Sequence, residues 1–532
     1  MSRSAKDFDF DEKNLLLPEE EEKGRKEKRT RRTRKQRSSS FGSTIVKSAY
    51  VHLPFCAQKC HYCDFATQIV GPNTTQWKKK RGGGGGAIVE DAMEEYADAV
   101  CREIAHQGRL RGTYEKTRSR TNADGGALET IFFGGGTPSL MPVKQLEKVM
   151  TALERAFGID WSRVEISMEC DPGTFTRETL RGFVGLGVNR VSLGVQSFDE
   201  RVLKACGRTH GVLEIYESVE HVHALLGSGR SSSNSKHSGS KTNSIETWSM
   251  DLISGLPGST LEIWEKGLHE TLECEAPHVS TYDLQVEEKT AFGKWYGDDD
   301  ESHKLGDRLP LPSESVVAEQ YKLASEILTT RGGFHRYEIS SFAKGVEHEC
   351  KHNKNYWDAI NGSWYAFGLS ATSRIDNERL ARPRGMKQYY GFVQDFEQNS
   401  FGVEEAFSQL RKDCTDEEVL DEIADAILER IMLGFRTARG VDVKELERSF
   451  GKKVVEELFD ALRFVEVSAE QASEENTKKR GEAKKLYEII PDDDDKDKGK
   501  IKAVRLTDPD GFLVSTEIIS SVISRMPSLK NI

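Results

Sequence analysis

Long apolar runs are missing from this chain of 532 residues: hydrophobic residues make up 36% of it, and no stretch approaches the roughly 18 uninterrupted apolar residues of a membrane span. No membrane-spanning helix is therefore expected. The N-terminus lacks the apolar segment of a secretory signal, so the protein is expected to be soluble and not secreted. Cysteine is sparse, and six of the nine (Cys101, Cys170, Cys206, Cys274, Cys350 and Cys414) stand singly, without the paired spacing of a disulfide framework. That usage fits a reducing compartment. The basic arm from Lys23 to Arg37 contains no aromatic residue to stack on a base, and the net charge of the whole is −11. Nucleic acid is therefore not an expected partner.

The shortage of apolar residues is concentrated in a few places. Residues 1–44 carry Glu19 to Glu22 followed by the basic arm, a block-charged composition that cannot bury enough apolar surface to offset ordering entropy, and are expected to form a disordered tail. Solvated insertions are expected at 78–87 (KKKRGGGGGA), near 228–244 (Ser- and Gly-rich) and in the Lys/Glu-rich stretch 469–485. The tail opens with Asp7, Asp9, Asp11 and Glu12, unlike an acid-poor transit peptide. A cytoplasmic location is expected, or an organelle matrix if the tail is a targeting segment.

Elsewhere short β-rich runs (SAYVHL, ETIFFG, VEISME, RVSLGV, WSMDLI, HVSTYDL) alternate with amphipathic helical stretches such as VKQLEKVMTALERAF, which predicts βα units around a parallel sheet. Two further helices are predicted from Thr415 to Phe450, joined by TARG, and a hairpin turning at Asp508–Gly511 is predicted before a last helix. The expected layout is a core at 45–375, a linker at 376–414 and a small domain at 415–532.

Within the first strand region, Cys56, Cys60 and Cys63 form a C-x3-C-x2-C cluster. Three thiolates on one loop can hold three irons of a cubane whose fourth iron stays open, since such clusters normally take four cysteines. A structural zinc site would need a fourth ligand, His52 or His61 from the same turn, and no second knuckle is present. The spacing favours iron–sulfur.

These residues carry a resemblance. The loop resembles that of radical S-adenosylmethionine (SAM) enzymes, and YVHLPFC, IFFGGGTPSL, VEISMECDPGTF, GVNRVSLGVQSFD, DLISGLPGST, YEISSFA and HNKNYW resemble, in order, the oxygen-independent coproporphyrinogen III oxidase-like family. The resemblance covers most of residues 45–532. It implies an α/β fold with a partial TIM-like (β/α) radical SAM barrel and a small C-terminal winged-helix-like domain. It also implies a [4Fe-4S] cluster on Cys56, Cys60 and Cys63. SAM contacts are implied at Gly135, Gly136 and Thr137 beside Gly134 and Pro138, and at Glu169, Gln196, Arg208 and Asp251. Tyr50 and Tyr62 flank the loop and either shield it, support adenine, or simply pack.

Two branches of the family differ in function. The oxidase branch decarboxylates two porphyrinogen propionates and carries a further cysteine two positions after the third; here that position is Phe65. The HemW-type haem chaperone branch carries an HNxxYW signature, present as His352, Asn353, Tyr356 and Trp357. The resemblance thus implies a haem-binding chaperone, with His352 as axial ligand and Cys350 as its rival. Haem, acceptor haemoproteins and an electron donor are the implied partners, with transient membrane-surface contact but no span. Coproporphyrinogen III oxidase is the alternative.

Overall fold

The computed structural model describes residues 46–71, 85–118, 126–227, 243–297, 307–375, 378–398, 416–476, 485–492 and 501–529. The charged tail, most of the insertions expected at 78–87 and 228–244, part of that at 469–485, and the linker stretch 399–414 lie outside those residues.

Among the described residues, nine strands make one sheet: β1 (Ser48–Leu53), β2 (Thr130–Gly135), β3 (Glu165–Cys170), β4 (Arg190–Gln196), β5 (Thr247–Ser254), β6 (His278–Asp283), β7 (His335–Glu338), β8 (Ser341–Ala343) and β9 (Tyr365–Phe367). Their order is β9-β1-β2-β3-β4-β5-β6-β8-β7. All neighbours from β9 through β6 are parallel, and β8 and β7 are added antiparallel. The six predicted strands are all present, and the wall they form is the partial barrel of the expectation.

Period-two alternation explains how each strand faces two environments. Ile166 and Met168 of β3, Val191 and Leu193 of β4, and Trp248 and Met250 of β5 are buried against the helices. The intervening residues are small and polar: Ser192 Oγ lies 2.8 Å from Ser249 Oγ and 2.7 Å from Asp251 Oδ2, across three positions on two strands. The helix Val143–Phe157, which the periodicity predicts to the residue, buries Leu146, Val149, Met150, Leu153 and Phe157 on one face.

A buried ion pair ties the helix Gly85–Arg118 to the segment that follows β9. Glu103, fully buried in the helix Gly85–Arg118, accepts from Arg382 Nε at 2.8 Å, Tyr389 Oη at 2.7 Å and the Gly368 N–H at 3.0 Å. Removing one member of such a pair costs about 3–5 kcal/mol because it strands the other charge. The exposed Lys148 bridges to Glu94 and Asp98 contribute little by comparison.

Two expectations are corrected. The expected linker at 376–414 contains the strand Glu378–Ala381 and the helix Met386–Gln398, whose Tyr389 and Val393 are buried in the barrel core. Its apolar residues pack on the Gly85–Arg118 helix, so this part is not a spacer. The Asp-Pro-Asp-Gly segment is not a hairpin turn: it leads from the strand Ile501–Leu506 into the short helix Asp510–Leu513. Thr507 Oγ1 accepts from the Gly511 N–H at 3.1 Å and Phe512 is buried, which winds the chain inward. The strand pairs antiparallel with Tyr487–Pro491 on one side and with Val441–Asp442 on the other.

The C-terminal unit packs the predicted helices Asp416–Phe435 and Val443–Phe450 with Lys452–Asn476 and Ser515–Arg525 around its own core. It also covers the β7 edge. The Ile339 N–H donates to the Arg436 carbonyl at 2.9 Å, and the Ala438 N–H donates to Tyr337 at 3.1 Å, satisfying edge groups that would otherwise be open to pairing.

Candidate functional site

The cysteine loop leaves β1 and is pinned at both ends. Phe55–Cys56 pairs in parallel with Gln68–Ile69; the Gln68 N–H donates to Pro54 at 2.7 Å and the Val70 N–H to Cys56 at 2.9 Å. The loop lies over the glycine turn that ends β2. A Cβ on Gly136 would sit 2.6 Å from the Pro54 carbonyl group, and one on Gly135 would sit 2.6 Å from the His52 ring at φ +118°, so side chains are excluded by this contact. The Gly136 and Thr137 N–H groups are spent on the Leu53 and Phe55 carbonyls at 2.9 and 2.7 Å.

Several residues singled out from sequence converge here. Thr137 Oγ1 lies 3.5 Å from Cys56 Sγ. Arg208 donates to Cys60 Sγ at 3.3 Å, Tyr62 Oη at 3.4 Å, the Gly194 carbonyl at 2.9 Å and Asp171 Oδ1 at 2.5 Å. Asp171 was not among the predicted residues; its sequence signal is only an acidic residue one position past β3. It also accepts from Thr137 at 3.4 Å, so it ties the glycine turn to Arg208. Gln196 ends β4 in the left-handed region, φ 65°. Glu169 accepts from the Gly135 N–H at 3.0 Å, and Tyr50 packs beside Gly134.

Of the two imidazoles that could complete a zinc site, His52 is committed at both nitrogens and His61 at Nδ1. His52 Nε2 lies 2.9 Å from the Ala66 carbonyl and Nδ1 3.1 Å from Tyr50 Oη, while His61 Nδ1 lies 2.9 Å from the Ala205 carbonyl. Among the described residues no three His, Cys, Asp or Glu side chains gather to hold a single metal ion. Three thiols with a guanidinium against one of them suit a larger anionic group. Burial pushes the Cys56 thiol up to about 12, so in the metal-free loop it keeps a proton that a metal must displace.

His352 is placed differently from the expectation. It is 1% exposed, with Nδ1 2.8 Å from Thr130 Oγ1 and Nε2 3.0 Å from Tyr356 Oη. Both ring nitrogens are engaged, and burial lowers its pKa to about 3. As an axial ligand it would have to give up one of these bonds and leave a packed interior. The rival, Cys350, is also buried: its Sγ lies 3.6 Å from Glu165 Oε1 and accepts from the Asn353 N–H at 3.5 Å as the helix cap.

Residues 114–234 match the Radical SAM superfamily and residues 424–466 the HemN C-terminal domain. Heme chaperone HemW of Synechocystis is 35% identical over 399 residues, 75% of this chain and 80% of that protein. The chain belongs to the HemW family. Heme chaperone HemW of Bacillus subtilis is 30% identical over 77% of this chain and 88% of its own length. The solved coproporphyrinogen III oxidase HemN of Escherichia coli superposes with a TM-score of 0.61 over 90% of this chain and 91% of that one, at 18% identity, which shows a common fold. By membership in the radical SAM superfamily, the cofactors of this HemW-family protein are a [4Fe-4S] cluster and SAM. Among the described residues no helix is long and apolar enough to cross a membrane.

The acidic side of the site has a testable electrostatic consequence. Burial, with help from the Asp251 and Asp171 carboxylates, pushes Glu169 up to about 8; burial pushes Asp251 up to about 6 despite the Ser192 bond. Both values lie above those of an unfolded chain, near 4. The folded protein therefore holds protons that the unfolded chain has released, and this stabilisation is full below about pH 4 and fades as pH rises through about 6 and then about 8. The thermal midpoint of the cofactor-free protein should fall from about pH 4 to about pH 8 and level off above that, with a smaller fall in Glu169→Gln. Parallel slopes for the two proteins would contradict the assignment.

Proposed function

We propose that this protein is a radical SAM haem chaperone, binding haem and passing it to acceptor haemoproteins. The observation that carries the reading is the 35% identity to a heme chaperone HemW across four-fifths of that protein. In this reading Cys56, Cys60 and Cys63 hold the [4Fe-4S] cluster. Gly135, Gly136, Thr137, Glu169, Gln196 and Asp251 face SAM, with Tyr50 and Tyr62 alongside. Bound together, cluster and SAM supply reductive chemistry at a sulfonium.

The chain's own groups have separable tasks. Arg208 sets a positive charge against the Cys60 sulfur and is itself held by Asp171. Thr137 donates toward Cys56, and Glu169 and Asp251 offer acceptors to the hydroxyls and ammonium of a nucleoside-bearing amino acid. Asp251 Oδ2 is held by Ser192, so one face of the carboxylate is fixed. Because both ring nitrogens of His352 are bonded, this reading puts haem elsewhere than on the HNKNYW segment.

Titrating the anaerobically reconstituted protein with haem tests the reading. A Soret band saturating near one equivalent, replaced by the Soret band of holomyoglobin on adding apomyoglobin, is the expected result. A featureless, non-saturating titration would remove the chaperone reading.

A further inference from the structure

The HNKNYW segment is the short helix Lys351–Trp357, capped by Cys350. It lies across the strand ends opposite the glycine turn. Each of the strands β2 to β6 meets this segment or its neighbours through its first residue. Thr130 opens β2 and pairs with His352 Nδ1 at 2.8 Å. Glu165 opens β3 and accepts from the His352 N–H at 3.2 Å. Arg190 opens β4 and donates to the His348 carbonyl at 3.0 Å, and Thr247 opens β5 and lies 2.8 Å from His348 Nδ1. His278 opens β6 and lies 2.9 Å from Tyr337 Oη, which also receives the Cys350 N–H at 3.4 Å. The segment therefore forms the floor of the barrel.

From this floor a column of rings runs upward to the cysteine loop. His352 stacks on Phe132 with centroids 5.3 Å apart, and Phe132 stacks on Tyr50 at 6.1 Å. Tyr50 Oη bonds His52 Nδ1, and the other nitrogen of His52 bonds the Ala66 carbonyl inside the loop. The His52 ring in turn presses on Gly135, whose N–H holds Glu169. On its far side His352 is fixed by Tyr356 Oη, and Tyr356 packs on Trp364 with centroids 4.4 Å apart.

We propose that His352 is a positioning residue: its bonds to Thr130 and Tyr356 fix the base of a ring column whose upper end sets the cysteine loop and Glu169. The inference rests on the reading that this loop holds the cluster with SAM beside it. It assigns the HNKNYW segment to the SAM side of the protein's chemistry, not to haem ligation. Tertiary packing makes the coupling mechanical, because each ring touches the next and the interior leaves no room for a compensating shift.

The test uses the full chain with reconstituted cluster, in His352→Phe, His352→Gln and Tyr356→Phe forms. The readouts are the SAM-induced change in the electron paramagnetic resonance of the reduced cluster, haem titration, and the thermal midpoint of the metal-free protein. His352→Phe can still stack on Phe132 but bonds neither Thr130 nor Tyr356, and should weaken SAM by about tenfold, the scale of one hydrogen bond. His352→Gln can bond both neighbours and should restore affinity to within about threefold of wild type by the same arithmetic. Tyr356→Phe deletes only one hydroxyl and should repeat the loss, which keeps the test decisive if His352→Phe fails to fold. All variants should keep the wild-type haem stoichiometry and Soret maximum. SAM binding at wild-type affinity in both phenylalanine variants would overturn the proposal, and so would a shifted or missing Soret band in His352→Gln. A wild-type protein whose cluster never responds to SAM would instead sink the functional reading beneath it.

Discussion

Replacing Cys56, Cys60 and Cys63 together with Ala should remove essentially all iron from the anaerobically purified protein, together with its brown colour and its paramagnetic signal on reduction. The three thiols lie on one loop pinned at Pro54–Gln68 and Cys56–Val70, and His52, bonded at both ring nitrogens, is not available to substitute for one of them. The barrel should survive, because its core is the buried strand and helix residues from Val46 to Val393. Single replacements should already lose most of the iron, since a cubane held by two thiolates has two irons open. Arg208→Ala should weaken cluster retention without removing any ligand, through loss of the charge beside Cys60 and of the bond to Asp171. Metal analysis decides the matter: stoichiometric zinc in place of iron would end the radical SAM reading of the site.

The second large effect is a missing activity. With cluster, SAM and reductant all present, coproporphyrinogen III should yield no protoporphyrinogen IX. In the oxidase branch that this chain resembles, a cysteine follows the cluster motif where this protein has Phe65. That side chain is 66% exposed, on a loop whose Asp64 carbonyl accepts from Arg384 at 2.6 Å. An exposed aromatic ring offers neither a thiol nor a hydrogen-bonding group to a propionate. Steady product formation that disappears in Cys60→Ala would restore the oxidase alternative, whereas SAM cleavage without decarboxylation agrees with the chaperone reading. The shared fold with the E. coli oxidase does not bear on the outcome, because a fold hosts many functions and the site decides among them.

Much of the architecture was legible because it is local. Alternating Val, Ile and Met with Ser, Glu and Arg along VEISMEC and RVSLGVQ gives strands with one helix-facing side and one polar side, and the apolar spacing of VKQLEKVMTALERAF gives a helix. The segment from Met386 failed as a sequence prediction because a helix of mixed polarity between a strand and a charged stretch has no mark of its own. Only its contact with the Gly85–Arg118 helix makes it core. The Asp-Pro-Asp-Gly signal failed for a related reason: turn chemistry is satisfied equally well by a helix start when a buried Phe512 draws the chain inward.

By itself, the sequence determined the cysteine spacing and hence the class of cofactor, the order of βα units, and the glycine run that leaves room for the loop above it. Each is a matter of residue type and short-range period. Tertiary structure decided what those residues touch. Arg208 reaches Asp171 across 37 positions and Cys60 across 148, and His352 meets Thr130 across 222. No local pattern encodes such pairings, because they arise only when the parallel strands come into register and bring their first residues to one end of the barrel and their last to the other. For that reason an imidazole that looks from sequence like an available haem ligand is, in the folded chain, a doubly bonded ring in the barrel floor, while an unremarked aspartate becomes the anchor of the cluster-side arginine.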